Sequence, residues 1–279
     1  MSDPQHADAS AAAPDTSGAE ISAPAPSTRP VLAFFDVDNT LMRGASLFYV
    51  AREAVDQRMI RSRDIWRFIW HEFRFKRVGE NQQHLSTSQE RALSLIAGHK
   101  RQEILDLGVS LWLRRIRPRL YPGTVDVVHD HLAKGHQVWL VSATPFEIGS
   151  LIADRLGLTG ALGTMVETDA DGVYTGRIDG HILHAEHKAV AARALAAEKG
   201  ADLAECWAYS DSRNDLPLLQ LVGNPVVVNP DAILLRHARQ HGWPIMRPTA
   251  KSVREARKRI RREARQVRKS ARKAEKRPD

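Results

Sequence analysis

The chain has a single cysteine, Cys206, which excludes an intramolecular disulfide and gives no reason to expect an oxidising compartment. Nowhere do 18 apolar residues run together, so no membrane-spanning helix is expected. The amino terminus lacks a basic region followed by an apolar one, the pattern of a secretory signal. No internal repeat is visible. These absences set cytoplasmic location as the expectation. Hydrophobic residues still make up 43% of 279 residues, enough to exclude a wholly disordered chain.

Acid is scarce in one place only. The net charge of +8 comes from residues 251–279, which hold 14 Lys/Arg against 4 acids. That excess says little about nucleic-acid binding by the folded body, for which none is expected. Residues 1–29, rich in Ala, Ser, Pro, Asp and Gly, read as a disordered leader. Within the tail, Val253, Ala256, Ile260, Ala264, Val267, Ala271 and Ala274 recur at helical spacing, a weak apolar stripe on a basic helix. Such a segment has three readings: no partner, an acidic macromolecule, or an anionic membrane surface, the last making the protein peripheral at the inner membrane face.

Between the tails, strands alternate with helices. Val31–Asp36, Gln137–Ser142, Cys206–Asp211 and Pro225–Asn229 are short apolar runs of the kind buried on both faces. Val125–Leu132 and Lys188–Lys199 carry helical spacing. The alternation predicts an α/β fold, a Rossmann-like, doubly wound parallel sheet. Three runs end in polar clusters, at 36–40, 142–144 and 211–215. In open α/β sheets the ligand lies beyond the carboxyl ends of the strands, so these clusters should meet. Thr164–Thr168 and Val173–Ile178 predict a β-hairpin turning at Asp171-Gly172. Residues 46–117 read as helix throughout and interrupt the alternation. They predict an inserted helical cap, leaving 30–45 and 118–250 as the core.

Asp36-Val37-Asp38-Asn39-Thr40-Leu41 directly follows the first strand. Two carboxylates two residues apart at a strand end can enter different environments, which suits a nucleophile and an acid/base. By themselves they also fit a cation loop or a solvated turn. On local signals alone Lys188 reads as a surface lysine and Ser142 as a helix N-cap. His129, His131 and His136 read as a solvated helix face, His181, His184 and His187 as a polar loop edge, and Cys206 as a core residue.

Taken together, Asp36–Leu41, Ser142-Ala143-Thr144, His187-Lys188-Ala189 and Asp211-Ser212-Arg213-Asn214-Asp215 resemble the four motifs of the haloacid dehalogenase superfamily of phosphohydrolases, in order and over about residues 31–230. The cap placement resembles the C1 type of subfamily I. Leu140–Ser142 and Tyr209–Leu216 look most like its phosphoserine-phosphatase-like branch. The resemblance implies a phosphatase using Mg²⁺. Asp36 would form an aspartyl-phosphate. Asp38 would protonate the leaving alcohol, then activate water. Ser142, Ala143, Lys188 and Asn214 would bind the phosphoryl group. Asp36, Asp38, Asp211 and Asp215 would hold or support the metal. Retention of Asp38 implies phosphoryl transfer to water rather than dehalogenation.

Several positions depart from phosphoserine phosphatases. Asn39 replaces a serine, and no acid lies between Leu41 and Phe48, where the family places the glutamate that holds the substrate amine. Ser46 stands near that place, and Arg91 lies in the context of the family's carboxylate-binding arginine. Both are specificity candidates. The cap also carries Trp66, Phe68, Trp70, Phe73 and Phe75 among cations, which reads as a buried amphipathic helix or as a surface for a lipid-linked phosphate. The substrate expected is therefore a small or lipid-linked phosphate monoester. Two other functions remain open: a weakly catalytic binding protein acting through its basic tail, and a phosphotransferase.

Overall fold

The structure is a computed structural model and describes residues 29–59 and 96–248. The leader, Arg91, the aromatic run at 65–76 and the basic tail lie outside the described residues.

Strand β1 (Leu32–Phe35) is buried along its whole length. It pairs in parallel with β2 (Gln137–Pro145) on one side and β6 (Trp207–Ser210) on the other. β3 (Gly160–Thr164), β7 (Asn224–Val228) and β8 (Ile245–Met246) complete a six-stranded parallel sheet in the order β3-β2-β1-β6-β7-β8. Side chains alternate across a strand, and β1 shows the consequence. Ala33 and Phe35 enter one apolar cluster, Leu32 and Phe34 another. The first face also packs against α1 (Ser46–Asp56), α2 (Arg101–Leu111), α3 (Pro122–Ala133) and α4 (Phe146–Leu156). The second is covered by α5 (Glu186–Lys199), α6 (Leu216–Leu221) and α7 (Ala232–Gln240). This is the doubly wound arrangement expected, with β1 central because its apolar run offers no polar face.

Two strands were not legible in the sequence. β8 is two residues long. β3 reads Gly-Ala-Leu-Gly-Thr, too poor in apolar residues to register. Its glycine at 163 has a steric reason: a Cβ there would lie 2.6 Å from the Phe146 Cα and 3.0 Å from the Thr144 carbonyl oxygen. β3 thus passes against the backbone that follows Ser142. The hairpin is present as β4 (Val166–Thr168) and β5 (Tyr174–Ile178), although Thr164 closes β3 instead of opening β4. Asp169 Oδ1 accepts from the Asp171 and Val173 amides, an Asx-type turn in which Gly172 takes φ 73°.

Within the expected insertion, α1 and α2 are described, followed by a π-helical turn at Trp112–Ile116 and a 3-10 turn at Arg117–Arg119. Glu53 of α1 is fully buried. It is satisfied by Arg114 Nη1 at 3.1 Å and Arg115 Nε at 2.8 Å, and these guanidiniums hold its carboxyl below the usual range against the opposing effect of burial. Arg101, at the start of α2, reaches the buried Glu147 of α4 at 2.9 Å. These two ion pairs tie the insertion's stems to each other and to the core. Among the described residues no helix is long and apolar enough to cross a membrane.

Candidate active site

The carboxyl ends of β1, β2 and β6 bring three of the polar clusters together, and α5 delivers Lys188 to them. Lys188 is not the surface residue its local sequence suggests. It is 3% exposed, with Nζ donating to Asp36 Oδ1 at 2.6 Å and to Asp215 Oδ2 at 2.8 Å. Burial opposes its charge, but the two carboxylates outweigh burial and hold the ammonium well above the usual lysine range. The helix that carries it is entered through Ala185 at φ 47°, ψ −118°. A non-glycine residue in that region is strained by ~1–3 kcal/mol, and such strain collects at functional sites.

Asp36 continues β1, its amide donating to the Tyr209 carbonyl at 3.0 Å. It is 5% exposed. Burial is the main reason its carboxyl is pushed up to about 8, Asp215, Asp38 and Asp211 add to the effect, and Lys188 works against it. Asp211, at the end of β6, is pushed up to about 7 by burial and then by Asp215. Asp215 sits in the 3-10 turn Arg213–Asp215, which Ser212 caps through its side chain. Besides Lys188, Asp215 Oδ2 accepts from Ser210 Oγ at 2.6 Å. Asn214 is half-buried, its amide donating to Ser212 Oγ at 3.2 Å.

Asp38 lies where the chain turns. Asn39 takes φ 57°, which Asn tolerates better than most residues, and its Oδ1 accepts from the Gly44 amide at 2.9 Å. Asp38 Oδ1 accepts from the Ser46 amide at 2.8 Å. Ser46 is the first residue of α1, so a helix N-terminus faces this carboxylate. Ser46 is fully buried. Its hydroxyl shares a 2.5 Å hydrogen bond with Thr144 Oγ1, which accepts from Ser142 Oγ at 2.9 Å. Ser46, Thr144 and Ser142 thus form a chain of hydroxyls running from the start of α1 to the end of β2. Hydrogen bonds from Ser46 lower the Asp38 carboxyl, but burial dominates and the net shift is upward.

The structure therefore gathers Asp36, Asp38, Ser46, Ser142, Ala143, Lys188, Asp211, Asn214 and Asp215 at one sheet edge. Arg91 falls outside the described residues. Ser142 is not a helix N-cap: β2 runs on to Pro145, which occupies the cap position of α4. Thr144 and Ser210 stand inside the motif segments read from the sequence but were assigned no role there; the structure bonds them to Ser142 and Asp215.

Beneath the site the histidine expectation fails in part. His129 is exposed, but His131 is 4% exposed. Its Nε2 shares a 2.8 Å hydrogen bond with the Tyr209 hydroxyl and its Nδ1 another with His136 Nδ1. Burial drives His131 down to about 4, so it is neutral at pH 7. Tyr209 in turn stacks on Phe35 at 4.2 Å. The aromatic floor under Asp36 is thus pinned by a residue that periodicity places on a helix and whose polarity suggests solvent.

A family model described as haloacid dehalogenase-like hydrolase matches residues 33–220. The chain belongs to this family. Among curated proteins, it is 44% identical over 214 residues to the phosphoserine phosphatase SerB1 of Mycobacterium tuberculosis, covering 76% of this chain and 69% of that protein. Among solved structures, a Bordetella pertussis protein of unknown function superposes with a TM-score of 0.70 at 32% identity, covering 78% of this chain and 99% of that one. A phospho-aspartyl intermediate analogue of phosphoserine phosphatase shares the fold with a TM-score of 0.55 at 20% identity, covering 79% and 94%. Fold, motifs and relatives together define an enzyme of the phosphatase kind, resembling phosphoserine phosphatase.

Proposed function

We propose that this enzyme hydrolyses small phosphate monoesters with Mg²⁺, through a phosphorylated Asp36. The observation that carries this reading is the buried Lys188 bridging Asp36 and Asp215 beside an Asp38 held by the Ser46 amide. One lysine stands among four clustered carboxyls, and burial, with their mutual repulsion added, raises Asp36, Asp38 and Asp211. An all-oxygen set crowded enough to hold protons fits a hard divalent cation. Asp36, the Asp38 carbonyl and Asp211 would hold it, with Asp215 in support. Bound there, Mg²⁺ supplies charge against the phosphate's own and polarises the phosphoryl oxygens.

In the first half-reaction an Asp36 oxygen attacks phosphorus. The Asp36 O–P bond forms as the bond to the leaving alkoxide breaks, and Asp38 gives that oxygen its proton. Burial favours the protonated Asp38 this needs. In the second, Asp38 takes a proton from water as water attacks phosphorus, freeing phosphate and Asp36. Ser142, the Ala143 backbone, Asn214 and Lys188 bind the phosphoryl oxygens. Lys188 also fixes the Asp36 carboxylate so that little reorganisation accompanies attack. The basic segment 251–279 has no part in these steps.

Asp36→Asn should abolish Mg²⁺-dependent turnover of p-nitrophenyl phosphate while leaving the circular dichroism spectrum unchanged. A variant as active as wild type would overturn the reading.

A further inference from the structure

The segment that follows β7 touches two of the turns that carry the carboxylates, although no motif includes it. Asp231 engages every polar atom it has. Its amide donates to the Asp211 carbonyl at 3.0 Å. Its Oδ2 accepts from the Arg213 amide at 2.8 Å. Its Oδ1 accepts from the Ile233 and Leu234 amides at 2.8 and 2.9 Å, which caps α7. Its carbonyl accepts from the Leu235 amide at 2.8 Å. One residue thus fastens the turn after β6 to the first turn of a helix.

Asn229, two residues earlier, reaches the other turn. Its Nδ2 donates to the Asn39 carbonyl at 3.2 Å, one residue beyond Asp38. Asn229 is itself anchored to the edge of the sheet, its amide donating to the Met246 carbonyl of β8 at 2.9 Å. It takes φ 48°, a region that Asn enters more readily than most residues. Pro230 joins the two, and its ring leaves the connection little slack. The Asp38 and Asp211 turns are therefore tied to one short segment, anchored on β8 at one end and on α7 at the other. Carboxylates repel one another, so turns that carry them separate unless something outside the cluster restrains them. A cation is bound more tightly where its ligands are already held together.

We propose that Asp231 and Asn229 are positioning residues for the divalent-cation site. They hold the 211–215 turn and the 38–39 turn at a fixed separation, so that the cation meets a site already formed. This rests on the proposed cation ligands Asp36, Asp38 and Asp211, and is independent of turnover.

The test is urea unfolding of the full chain, from chelator through rising Mg²⁺. The midpoint in chelator reads the fold. The Mg²⁺ concentration at which each variant rises above its own chelator midpoint reads affinity. Asp231→Ser keeps the helix cap, because serine caps about as well as aspartate, but its single oxygen cannot also serve the Arg213 amide. Asn229→Gly accepts the positive φ and removes the donor to Asn39. Asp231→Ser is expected to need ~10-fold more Mg²⁺, the lower end of the range for groups that support metal ligands, because Asp231 is exposed. The double variant should need more again, with chelator midpoints close to wild type throughout. A double variant that responds at the wild-type Mg²⁺ concentration overturns the proposal, whatever its chelator midpoint. A wild type whose midpoint ignores Mg²⁺ overturns the cation reading, and the positioning role with it. Turnover does not enter the test, so failure of the phosphatase reaction is told apart by Asp36→Asn.

Discussion

Replacing Lys188 with Met keeps most of the buried stem and removes only the charge. Its two partners, Asp36 and Asp215, are 5% and 2% exposed, so neither can turn to water for a replacement. Breaking a buried pair from one side costs ~3–5 kcal/mol. Lys188→Met should therefore lose about 3–5 kcal/mol at pH 7. A carboxylate stranded by the substitution can escape by taking a proton, which costs less the nearer the pH lies to the ordinary carboxylate range, so the loss should be clearly smaller at pH 5.

The assay is urea unfolding at both pH values in chelator, so that no divalent cation stands in for the ammonium. A loss below about 1 kcal/mol at pH 7, or one of equal size at both pH values, would refute the view of Lys188 as the cation that makes the carboxylate cluster tolerable.

Two further outcomes follow from the same geometry. Asp36 and Asp211 have folded values of about 8 and about 7 against 3.8 unfolded, so between those limits the folded state binds more protons. Their stabilising contribution is complete below pH 4 and is lost as pH rises through 7–8. His131, neutral in both states above pH 7, leaves that window clean. In chelator the urea midpoint should fall from pH 7 to pH 8.5, and Mg²⁺ should restore it with release of protons to buffer, whereas a flat or rising midpoint would contradict the shifts. Ser46→Ala removes the hydroxyl that bonds Thr144 and that helps to lower the Asp38 carboxyl, so the charged form of Asp38 loses support. The pH profile of kcat should move up by about one to two units, as one charge-assisted hydrogen bond is worth ~1.5–3 kcal/mol, and Ser46→Thr should recover part of the shift. An unmoved profile would leave Ser46 with packing alone.

The parallel sheet was legible because its central strands are nearly continuous apolar runs, and burial on both faces has no other signature of that length. Three of the four motifs were legible because each sits at the end of such a run; the fourth, His187-Lys188-Ala189, opens a helix. What the sequence hid depends on contacts far apart in the chain. Lys188 looks like a helix surface residue until α5 is laid against the ends of β1 and β6. Ser142 looks like a helix cap because a hydroxyl before a helix usually is one, yet β2 extends three residues further. His131 falls on the core-facing side of α3 beside Tyr209 on β6, 78 residues away. Ser46 stands where the family's amine acceptor would, but its neighbours Asp38 and Thr144 use its amide and hydroxyl.

The same hydrogen bonds explain why the insertion begins where it does. A carboxylate that must both give and accept a proton needs donors strong enough to hold its charged form and weak enough to release it. A core strand end offers few of these, since its amides are spent on the sheet. The first turn of a helix has amides to spare, and α1 presents one of them to Asp38 through Ser46. Starting a helix eight residues after Asp38 therefore supports the proposed acid/base carboxylate at the point where the expected cap begins. The returning linker lies against the outgoing one, the Arg43 amide donating to the Arg119 carbonyl and the Tyr121 amide to the Leu41 carbonyl, so the loop that carries Asp38 is held from both ends of the expected insertion.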